Sequence, residues 1–325
     1  MNAPVLSVYN LVMHYQTRKG EVSAVDGVSF DLARGQSLGL VGESGCGKTS
    51  IAFSLMRLLP DHAKIKDGYI LLGGKDVVAM NYPELLKVRW SQIAMVFQAA
   101  MNALNPVYTV GDQIIEAMDY HYDHFTKLQA RERIAGLFDL VGLDPILMDR
   151  YPHEFSGGMR QRAVIAMALS CDPDIIIADE PTTALDVIVQ DRILKRIRAL
   201  QKELNMAMIY ISHDIAVIAE VSDRIGVMYA GRMAEMADAV EIFRRPLHPY
   251  TYALLSAFPS IKGARQVLKT LPGEPPDLLN PPTGCRFHPR CPYVTAQCRS
   301  NQPQYEDLGN NHLVACWHPL EGSIL

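Results

Sequence analysis

The chain has 325 residues, a formal net charge of −4 and a hydrophobic content of 49%. This length suits one large domain or two, and the composition is that of an ordinary soluble globular protein. The slightly acidic balance gives no support to a surface that binds nucleic acid. No run of about 18 apolar residues occurs, and the first residues lack the basic and apolar regions of a secretory signal. Neither a membrane span nor a signal peptide is therefore expected.

The first eighty residues predict strands on both sides of one glycine-rich loop. Alternating apolar and polar residues predict strands over 5–15 and 24–32, and a short apolar run predicts another over 38–41. A helix is predicted after the loop as far as about residue 59. Strand and turn are expected to return over 69–80.

The middle of the chain predicts a helical insertion followed by a parallel sheet. Helical patterning extends from residue 83 to about 151, and the apolar residues of 127–141 recur at the spacing of one helix face. Apolar runs at 174–179, 206–212 and 224–229 alternate with helical stretches. This alternation indicates a parallel sheet covered by helices on both faces.

The glycine-rich loop has the sequence Gly-Glu-Ser-Gly-Cys-Gly-Lys-Thr at 42–49, which fits the pattern G-x-x-x-x-G-K-[ST] between a strand and a helix. Gly45 and Gly47 allow the backbone to turn its N–H groups towards phosphate oxygens, and the helix begins with its positive end at the same place. Lys48 adds a cation for the β- and γ-phosphates, and Thr49 a hydroxyl for Mg²⁺. The alternative is a glycine-rich turn that contains a lysine by chance.

Two carboxylates follow a buried strand at the sequence Ile-Ile-Ile-Ala-Asp179-Glu180. A strand that ends there brings Asp179 to the carboxyl edge of the sheet, where it can hold Mg²⁺. Glu180 is then placed to polarise an attacking water as a general base. The alternative is a pair of acidic residues that caps the next helix.

Ser156, Gly157 and Gly158 precede an amphipathic helical stretch and predict a second anion-binding nest. One nucleotide seldom needs two nests. We therefore expect this nest to complete a nucleotide site on another subunit, while a simple helix N-cap is the alternative.

In order and spacing, these motifs resemble those of the nucleotide-binding subunits of ABC transporters, over residues 5 to about 255. Phe155–Met159 is similar to the signature sequence of that family, with Phe155 and Met159 as departures. The resemblance implies that Gln98 contacts Mg²⁺ and the attacking water, that His213 contacts the γ-phosphate and that Asp186 lies in a loop at a dimer interface. It also implies that Tyr15 stacks on adenine. A strand aromatic for Tyr15 and a core histidine for His213 remain alternatives.

The resemblance therefore implies three sets of site residues, all within the same nucleotide site. Its implied catalytic residues are Lys48, Glu180 and His213, and its Mg²⁺ ligands are Thr49, Gln98 and Asp179. Its implied ATP-binding residues are Tyr15, Ser44, Gly45, Cys46, Gly47, Lys48, Thr49, Ser50 and Gln98.

The fold implied is α/β: a P-loop NTPase (RecA-like) core with an N-terminal antiparallel β region, a helical ABC subdomain and a small cysteine-rich C-terminal extension. The nucleotide-binding domain is expected to cover residues 1–255, with the helical subdomain at about 83–160, and the extension to cover 256–325.

Four cysteines lie in the proline-rich tail with the spacing C-x5-C-x6-C-x17-C: Cys285, Cys291, Cys298 and Cys316. A short segment with little apolar content needs a crosslink to fold. Disulfides are disfavoured if the chain works in the reducing cytosol, and the C-x2-C pairs usual for structural zinc are absent. A [4Fe–4S] cluster accepts looser spacing. Zinc and unmetallated thiols remain alternatives.

The tail also resembles the C-terminal extension of oligopeptide and dipeptide importer ATPases, some of which carry [4Fe–4S]. The match lies in CRFHPRCP at 285–292, in Leu-Asn-Pro at 104–106 and in HPYTYALLSAFP at 248–259. Arg286 and Arg290 are expected to offset the negative charge of a cluster.

The function implied is the ATP-hydrolysing subunit of a peptide importer, paired head to tail with a second ATPase. Two transmembrane permease subunits and an extracytoplasmic binding protein are the other implied partners, and nucleic acid is not. The chain is expected on the cytoplasmic face of the membrane as a peripheral subunit. Nickel or oligosaccharides are alternative cargoes. A soluble ABC ATPase that acts on ribosomes or DNA is an alternative of another class.

Overall fold

The structure is a computed structural model that describes residues 3–98, 103–123, 126–181, 187–257 and 271–321. The chain divides into two compact units. The first unit comprises Leu6–Leu32, Ser37–Val78 and Ile211–Leu325, and the second comprises Met1–Val5, Ala33–Gln36 and Ala79–Tyr210.

The secondary structure alternates between strands and helices through most of the described residues. The strands are β1 (Leu6–Thr17), β2 (Gly20–Leu32), β3 (Ser37–Val41), β4 (Ala63–Leu72), β5 (Lys75–Asp76), β6 (Ile93–Val96), β7 (Ile175–Asp179), β8 (Ala207–Ser212), β9 (Arg224–Tyr229), β10 (Arg232–Asp238), β11 (Glu306–Asp307) and β12 (Leu313–Val314). The helices are α1 (Lys48–Met56), α2 (Tyr82–Val88), α3 (Val110–His121), α4 (Lys127–Val141), α5 (Gly157–Leu169), α6 (Val187–Glu203), α7 (Ile215–Val221), α8 (Ala239–Arg244), α9 (Pro249–Ser256) and α10 (Ala296–Ser300). Short 3-10 turns occur at Pro145–Asp149, Pro152–Glu154 and His288–Arg290.

The first unit contains an antiparallel sheet with the strand order β2-β1-β4-β5. In β1 the buried residue Leu6 lies opposite Leu32 of β2 and Leu72 of β4, so one face of the sheet is apolar. This sheet confirms the predicted N-terminal antiparallel β region.

The first unit also carries the strand that leads into the glycine-rich loop. All five residues of β3 are buried, and β3 pairs in parallel with β9. Beyond β9 the order continues through β10 and β12 to β11 by antiparallel pairing. A side chain at Gly39 would collide with Ile218 and Ser222, so glycine lets α7 pack closely on β3.

The second unit holds helices α2 to α6, strands β6 and β7 and the first four residues of β8. Helix α4 matches the helix predicted over 127–141. Thr126 and Gln129 form a capping box at its start, and Gly142, with φ 73°, ends it in the left-handed conformation. Its buried residues are Ala130, Ile134, Leu137, Phe138 and Val141.

The prediction of continuous helical structure from residue 83 to about 151 was wrong at one point. Residues Ile93–Val96 form β6, a fully buried strand that pairs in parallel with β7. Four apolar residues are too few to show a strand period, and a buried parallel strand carries no polar alternation. This strand matters because Gln98 lies two residues after its end.

No helix in the described parts of the chain is long and apolar enough to cross a membrane.

Strand β10 contains a fully buried carboxylate that ties three segments of the first unit together. Glu235 accepts hydrogen bonds from the backbone N–H groups of Leu247 at 2.7 Å and His248 at 2.9 Å. Its Oε1 also lies 2.6 Å from Nε2 of His312. Burial lowers the pKa of His248 to about 4, and its Nδ1 accepts the N–H of Tyr250 at 3.0 Å. This network fixes the start of α9 against β10.

Replacing Glu235 with alanine should destabilise the first unit. The change leaves two buried backbone N–H groups and an imidazole without their acceptor, which we expect to lower the free energy of unfolding by about 3 kcal/mol. The measurement is the thermal unfolding midpoint followed by circular dichroism. Glu306→Ala, which removes an exposed carboxylate from β11, should shift the midpoint little. Equal midpoints for both variants would contradict this account.

Candidate nucleotide-binding site

The glycine-rich loop of the first unit is shaped by close backbone packing. A side chain at Gly42 would collide with the carbonyl oxygen of Met228, and one at Gly47 with that of Ala24. Both glycines have positive φ, 151° and 105°, in a region that other residues rarely adopt. A side chain at Gly45 would meet nothing within 4 Å. The loop is therefore packed tightly on its inner side and open at Gly45.

Lys48 begins α1 and folds back over the loop. Its Nζ donates hydrogen bonds to the carbonyl oxygens of Gly42 at 2.7 Å and Glu43 at 3.1 Å. The side chain is buried, and its ammonium group is held where the N-terminus of α1 also directs its N–H groups. The arrangement places a cation and a helix N-terminus at one point, which suits a polyphosphate.

Tyr15 lies beside Ser50, the residue that follows the loop. Its hydroxyl lies 3.3 Å from Oγ of Ser50, and its ring centroid lies 5.7 Å from that of His62. Ser44 is exposed on the loop, Thr49 is half-buried and Cys46 is buried. Burial raises the pKa of the Cys46 thiol, so Cys46 packs inside the loop as a neutral group.

The predicted carboxylates and glutamine meet in the second unit. Asp179 is the buried last residue of β7, and Glu180 follows with φ 45°, an unusual left-handed backbone for a residue with a side chain. Nε2 of Gln98 donates to Oε2 of Glu180 at 2.8 Å. Because β6 and β7 are parallel neighbours, with Val96 opposite Ala178, residues that follow them lie at one sheet edge.

Ser156 caps α5 in the second unit. Its side chain accepts the backbone N–H of Met159 at 3.3 Å, and Gly157 and Gly158 form the first turn. The three residues line part of a cavity of about 670 Å³. A helix N-terminus without large side chains is thus presented to an open space.

The structure says less about two other predicted residues, His213 and Asp186. His213 is exposed between β8 and α7, next to Asp214, which caps α7. Asp186 lies outside the described residues.

Sequence reasoning missed the contacts of Glu43, the second residue of the loop. Its backbone N–H donates to the hydroxyl of Tyr250 at 3.0 Å, and its carboxylate pairs with Arg290. These partners are 207 and 247 positions away along the chain. No local pattern could have indicated them.

The four tail cysteines come together in the first unit. Cys285, Cys291, Cys298 and Cys316 line one cavity of about 10 Å³ and are free thiols. Burial raises the pKa of Cys285 to about 11 and that of Cys316 to about 12, so these two thiols hold their protons at neutral pH.

The fit to a metal is incomplete. Four thiols form a suitable donor set for iron–sulfur or zinc, but the cavity has room for about one water. Among the described residues, no group of three or more His, Cys, Asp or Glu side chains is arranged to hold a metal ion.

The two arginines between the first two tail cysteines are each paired with a carboxylate. Arg286 bonds Asp26 and the carbonyl oxygen of Ala230, and Arg290 bonds Glu43. Both guanidinium groups are therefore engaged with protein acceptors. The expectation that they offset the negative charge of a cluster stays a prediction.

Comparison with known proteins agrees with this geometry. A family model described as "ABC transporter" matches residues 25–183, and one described as "Oligopeptide/dipeptide transporter, C-terminal region" matches residues 234–298. A dimeric ATP-binding cassette solved in a post-hydrolysis state with ADP and Pi has a TM-score of 0.65 and 25% identity. The match covers 72% of this chain and 98% of that one, and it confirms the predicted P-loop NTPase fold.

Relatives of similar length extend the match through the tail. The dipeptide transport ATP-binding protein DppD of Bacillus subtilis is 47% identical over 96% of this chain and 94% of its own length. The oligopeptide transport ATP-binding protein OppD of Escherichia coli is 43% identical over 98% of this chain and 94% of its own. The chain therefore belongs to the ATP-binding proteins of ABC transporters, in the oligopeptide and dipeptide importer group.

Proposed function

We propose that this chain hydrolyses ATP as a subunit of a peptide importer. The observation that carries the proposal is the hydrogen bond of 2.8 Å from Gln98 to Glu180, at the ends of two parallel strands. It holds a carboxylate in a strained position after β7, which is a costly arrangement for a merely structural residue. The names of the relatives, dipeptide and oligopeptide transport ATP-binding proteins, support peptide as the cargo.

Residues of the glycine-rich loop bind the phosphates in this proposal. Lys48 leaves the carbonyl oxygens of Gly42 and Glu43 and pairs with the β- and γ-phosphates, while the open side at Gly45 admits them. Tyr15, close to Ser50, contacts the adenine. Thr49, Gln98 and Asp179 would hold Mg²⁺, which neutralises charge on the phosphates.

Glu180 acts as the general base. It accepts a proton from the water that attacks the γ-phosphate, while Gln98 orients its carboxylate. His213, exposed after β8, contacts the γ-phosphate and stabilises the negative charge that develops there.

A second ATPase subunit completes the site. Ser156, Gly157 and Gly158 at the start of α5 bind the γ-phosphate held by that subunit, and Asp186 contributes to the interface. The partner is a paralogue, since the peptide group usually pairs two different ATPases. We assign residues 1–255 to the nucleotide-binding domain, with its helical subdomain at about 83–160, and 256–325 to the extension.

Two permease subunits hold the pair at the cytoplasmic face of the membrane, and an extracytoplasmic binding protein delivers the cargo. Nickel and oligosaccharides remain alternative cargoes, because the cargo is recognised by those other proteins. Action on ribosomes or DNA is not favoured by the relatives, whose names refer to peptide transport.

We also propose that the extension binds a [4Fe–4S] cluster through Cys285, Cys291, Cys298 and Cys316. Support comes from four free thiols that line one cavity although they lie on separate segments. The cavity must widen to admit the cluster, and metal binding must displace the thiol protons.

Glu180→Gln should abolish hydrolysis and keep ATP binding. Loss of the base should slow steady-state ATPase activity by about 100-fold or more. The variant should trap an ATP-bound dimer with the partner ATPase, measurable by light scattering. Glu132→Gln, an exposed change on α4, should keep wild-type turnover. Near-normal hydrolysis in Glu180→Gln would remove Glu180 from its role.

The cargo is tested on the intact transporter isolated with its permease and binding proteins. In liposomes, short peptides should stimulate ATP hydrolysis because loaded binding protein closes the ATPase pair. Nickel and oligosaccharides are tested in parallel at equal concentrations. Stimulation by either of these, with none by peptides, would contradict the peptide assignment.

Protein purified without oxygen should contain about four iron and four sulfide per chain. Cys298→Ser should lose most of both because it removes one ligand, whereas Cys171→Ser, in the second unit, should retain them. Metal analysis and the visible absorption spectrum are the measurements. One zinc per chain, or no metal, would contradict the cluster.

A further inference from the structure

The segment between Cys285 and Cys291 carries two arginines that both reach the surroundings of the glycine-rich loop. All the groups involved lie in the first unit. One arginine contacts the loop directly, and the other does so through a turn that supports the loop. Neither contact is explained by binding a metal.

Arg290 forms a two-pronged ion pair with the loop residue Glu43. Its Nη1 lies 2.7 Å from Oε2 and its Nη2 lies 3.0 Å from Oε1. Nε donates to the carbonyl oxygen of Pro272 at 2.8 Å, and the guanidinium carbon lies 5.8 Å from the ring centroid of Tyr229. The side chain of Arg290 is only 5% exposed. A pair with this geometry and burial is far more restrictive than a surface salt bridge.

Glu43 is held at its backbone as well as at its carboxylate. Its N–H donates to the hydroxyl of Tyr250 at 3.0 Å, and its carbonyl oxygen accepts from Lys48 at 3.1 Å. The tail therefore fixes the residue whose carbonyl helps to position the phosphate-binding lysine.

Arg286 supports the loop at a second point, through the turn that contacts Cys46. It donates to the carbonyl oxygen of Ala230 and pairs with Asp26. The next residue, Gly231, donates its N–H to the carbonyl oxygen of Cys46 in the loop at 2.9 Å. Arg286 thus holds the turn on which the loop rests.

The segment that carries the two arginines is itself rigidly placed. The N–H of Cys285 donates to the carbonyl oxygen of Cys298 at 2.9 Å, and Arg290 ends a 3-10 turn. Phe287, which is 2% exposed, packs 5.1 Å from Tyr229 and 5.4 Å from Tyr250 between ring centroids. Lost side-chain entropy is therefore small when Arg290 pairs with Glu43.

We propose that the cysteine-rich segment braces the glycine-rich loop, and that Arg290 is a positioning residue for nucleotide binding. The inference rests on the proposal that this loop binds ATP. The brace keeps the loop in the form that accepts phosphates. Without the brace, only a fraction of the molecules has the loop in that form, and the apparent affinity for ATP falls in proportion to that fraction.

The test uses the full-length chain and Arg290→Met, which keeps the apolar stem and removes the guanidinium group. The Kd for a fluorescent ATP analogue should rise by about tenfold. In steady-state ATPase assays with the partner ATPase, KM should rise while kcat changes little, because Arg290 touches no reacting atom. Arg290→Lys should restore part of the affinity, since it keeps the charge but not the two-pronged geometry.

Arg131→Met is the matched control. Arg131 makes a two-pronged pair with Asp149 at 2.7 and 2.6 Å, but on the exposed surface of α4 in the second unit. The Arg131→Met variant should therefore have the same Kd for the ATP analogue and the same KM as the wild type. An equal loss in both variants, or a Kd in Arg290→Met within about twofold of wild type, would overturn the brace.

Glu43→Gln provides a second route should Arg290→Met fail to fold. It keeps the size of the side chain and weakens the pair, so Kd should rise in Glu43→Gln alone. Where Arg290→Met also folds, the double variant of Glu43→Gln and Arg290→Met should have a Kd no higher than that of the weaker-binding single variant. Additive losses would overturn the proposal.

Lys48→Ala distinguishes a failure of the proposed ATP site from a failure of the proposed brace. If the wild type binds the ATP analogue no better than Lys48→Ala does, the proposed ATP site is wrong. If the wild type binds the analogue and both Arg290→Met and Glu43→Gln bind it equally well, only the proposed brace is wrong.

Discussion

Close backbone packing around the glycine-rich loop is the constraint on which the rest of the site depends. Gly42 lies against the carbonyl oxygen of Met228 at the end of β9, and Gly47 against that of Ala24 in β2. No side chain fits at either point, so the loop follows one path into the N-terminus of α1. Lys48 completes the cradle by bonding the loop's own carbonyl oxygens. These bonds hold the ammonium group over the loop at the start of α1.

The sequence predicted those parts of the molecule whose causes are local. The glycine pattern with Lys48 and Thr49 predicts a loop because all the residues that determine its backbone and its phosphate contacts lie within the eight positions 42–49. Helix α4 was predicted because the residues of its apolar face lie within one stretch of the chain. Strands β1 and β2 followed from the alternation of apolar and polar residues, whereas their antiparallel arrangement was implied by the family resemblance.

The missed features have causes that no local window contains. Strand β6 is four buried residues, and its identity as a strand comes from pairing with β7 some eighty positions later. The position of Gln98 beside Glu180 follows from that pairing and not from the residues around Gln98. In the same way, the function of Glu235 as a buried acceptor depends on His312 and the start of α9. Such interactions are decided by tertiary structure, which overrides the local pattern.

The tail shows the same principle in its strongest form. Cysteine spacing indicated a crosslinked segment, and the four thiols do line one cavity. The arginines among them were expected to offset the charge of a cluster, because they are neighbours of the cysteines in sequence. Their partners are instead Asp26, Ala230 and Glu43, which belong to β2, the β9–β10 turn and the loop. A buried guanidinium group requires a carboxylate at a fixed distance, so the position of the tail and the position of the loop cannot be set independently. The acidic residue at the second position of the loop is thereby fixed by a residue that the loop sequence does not contain.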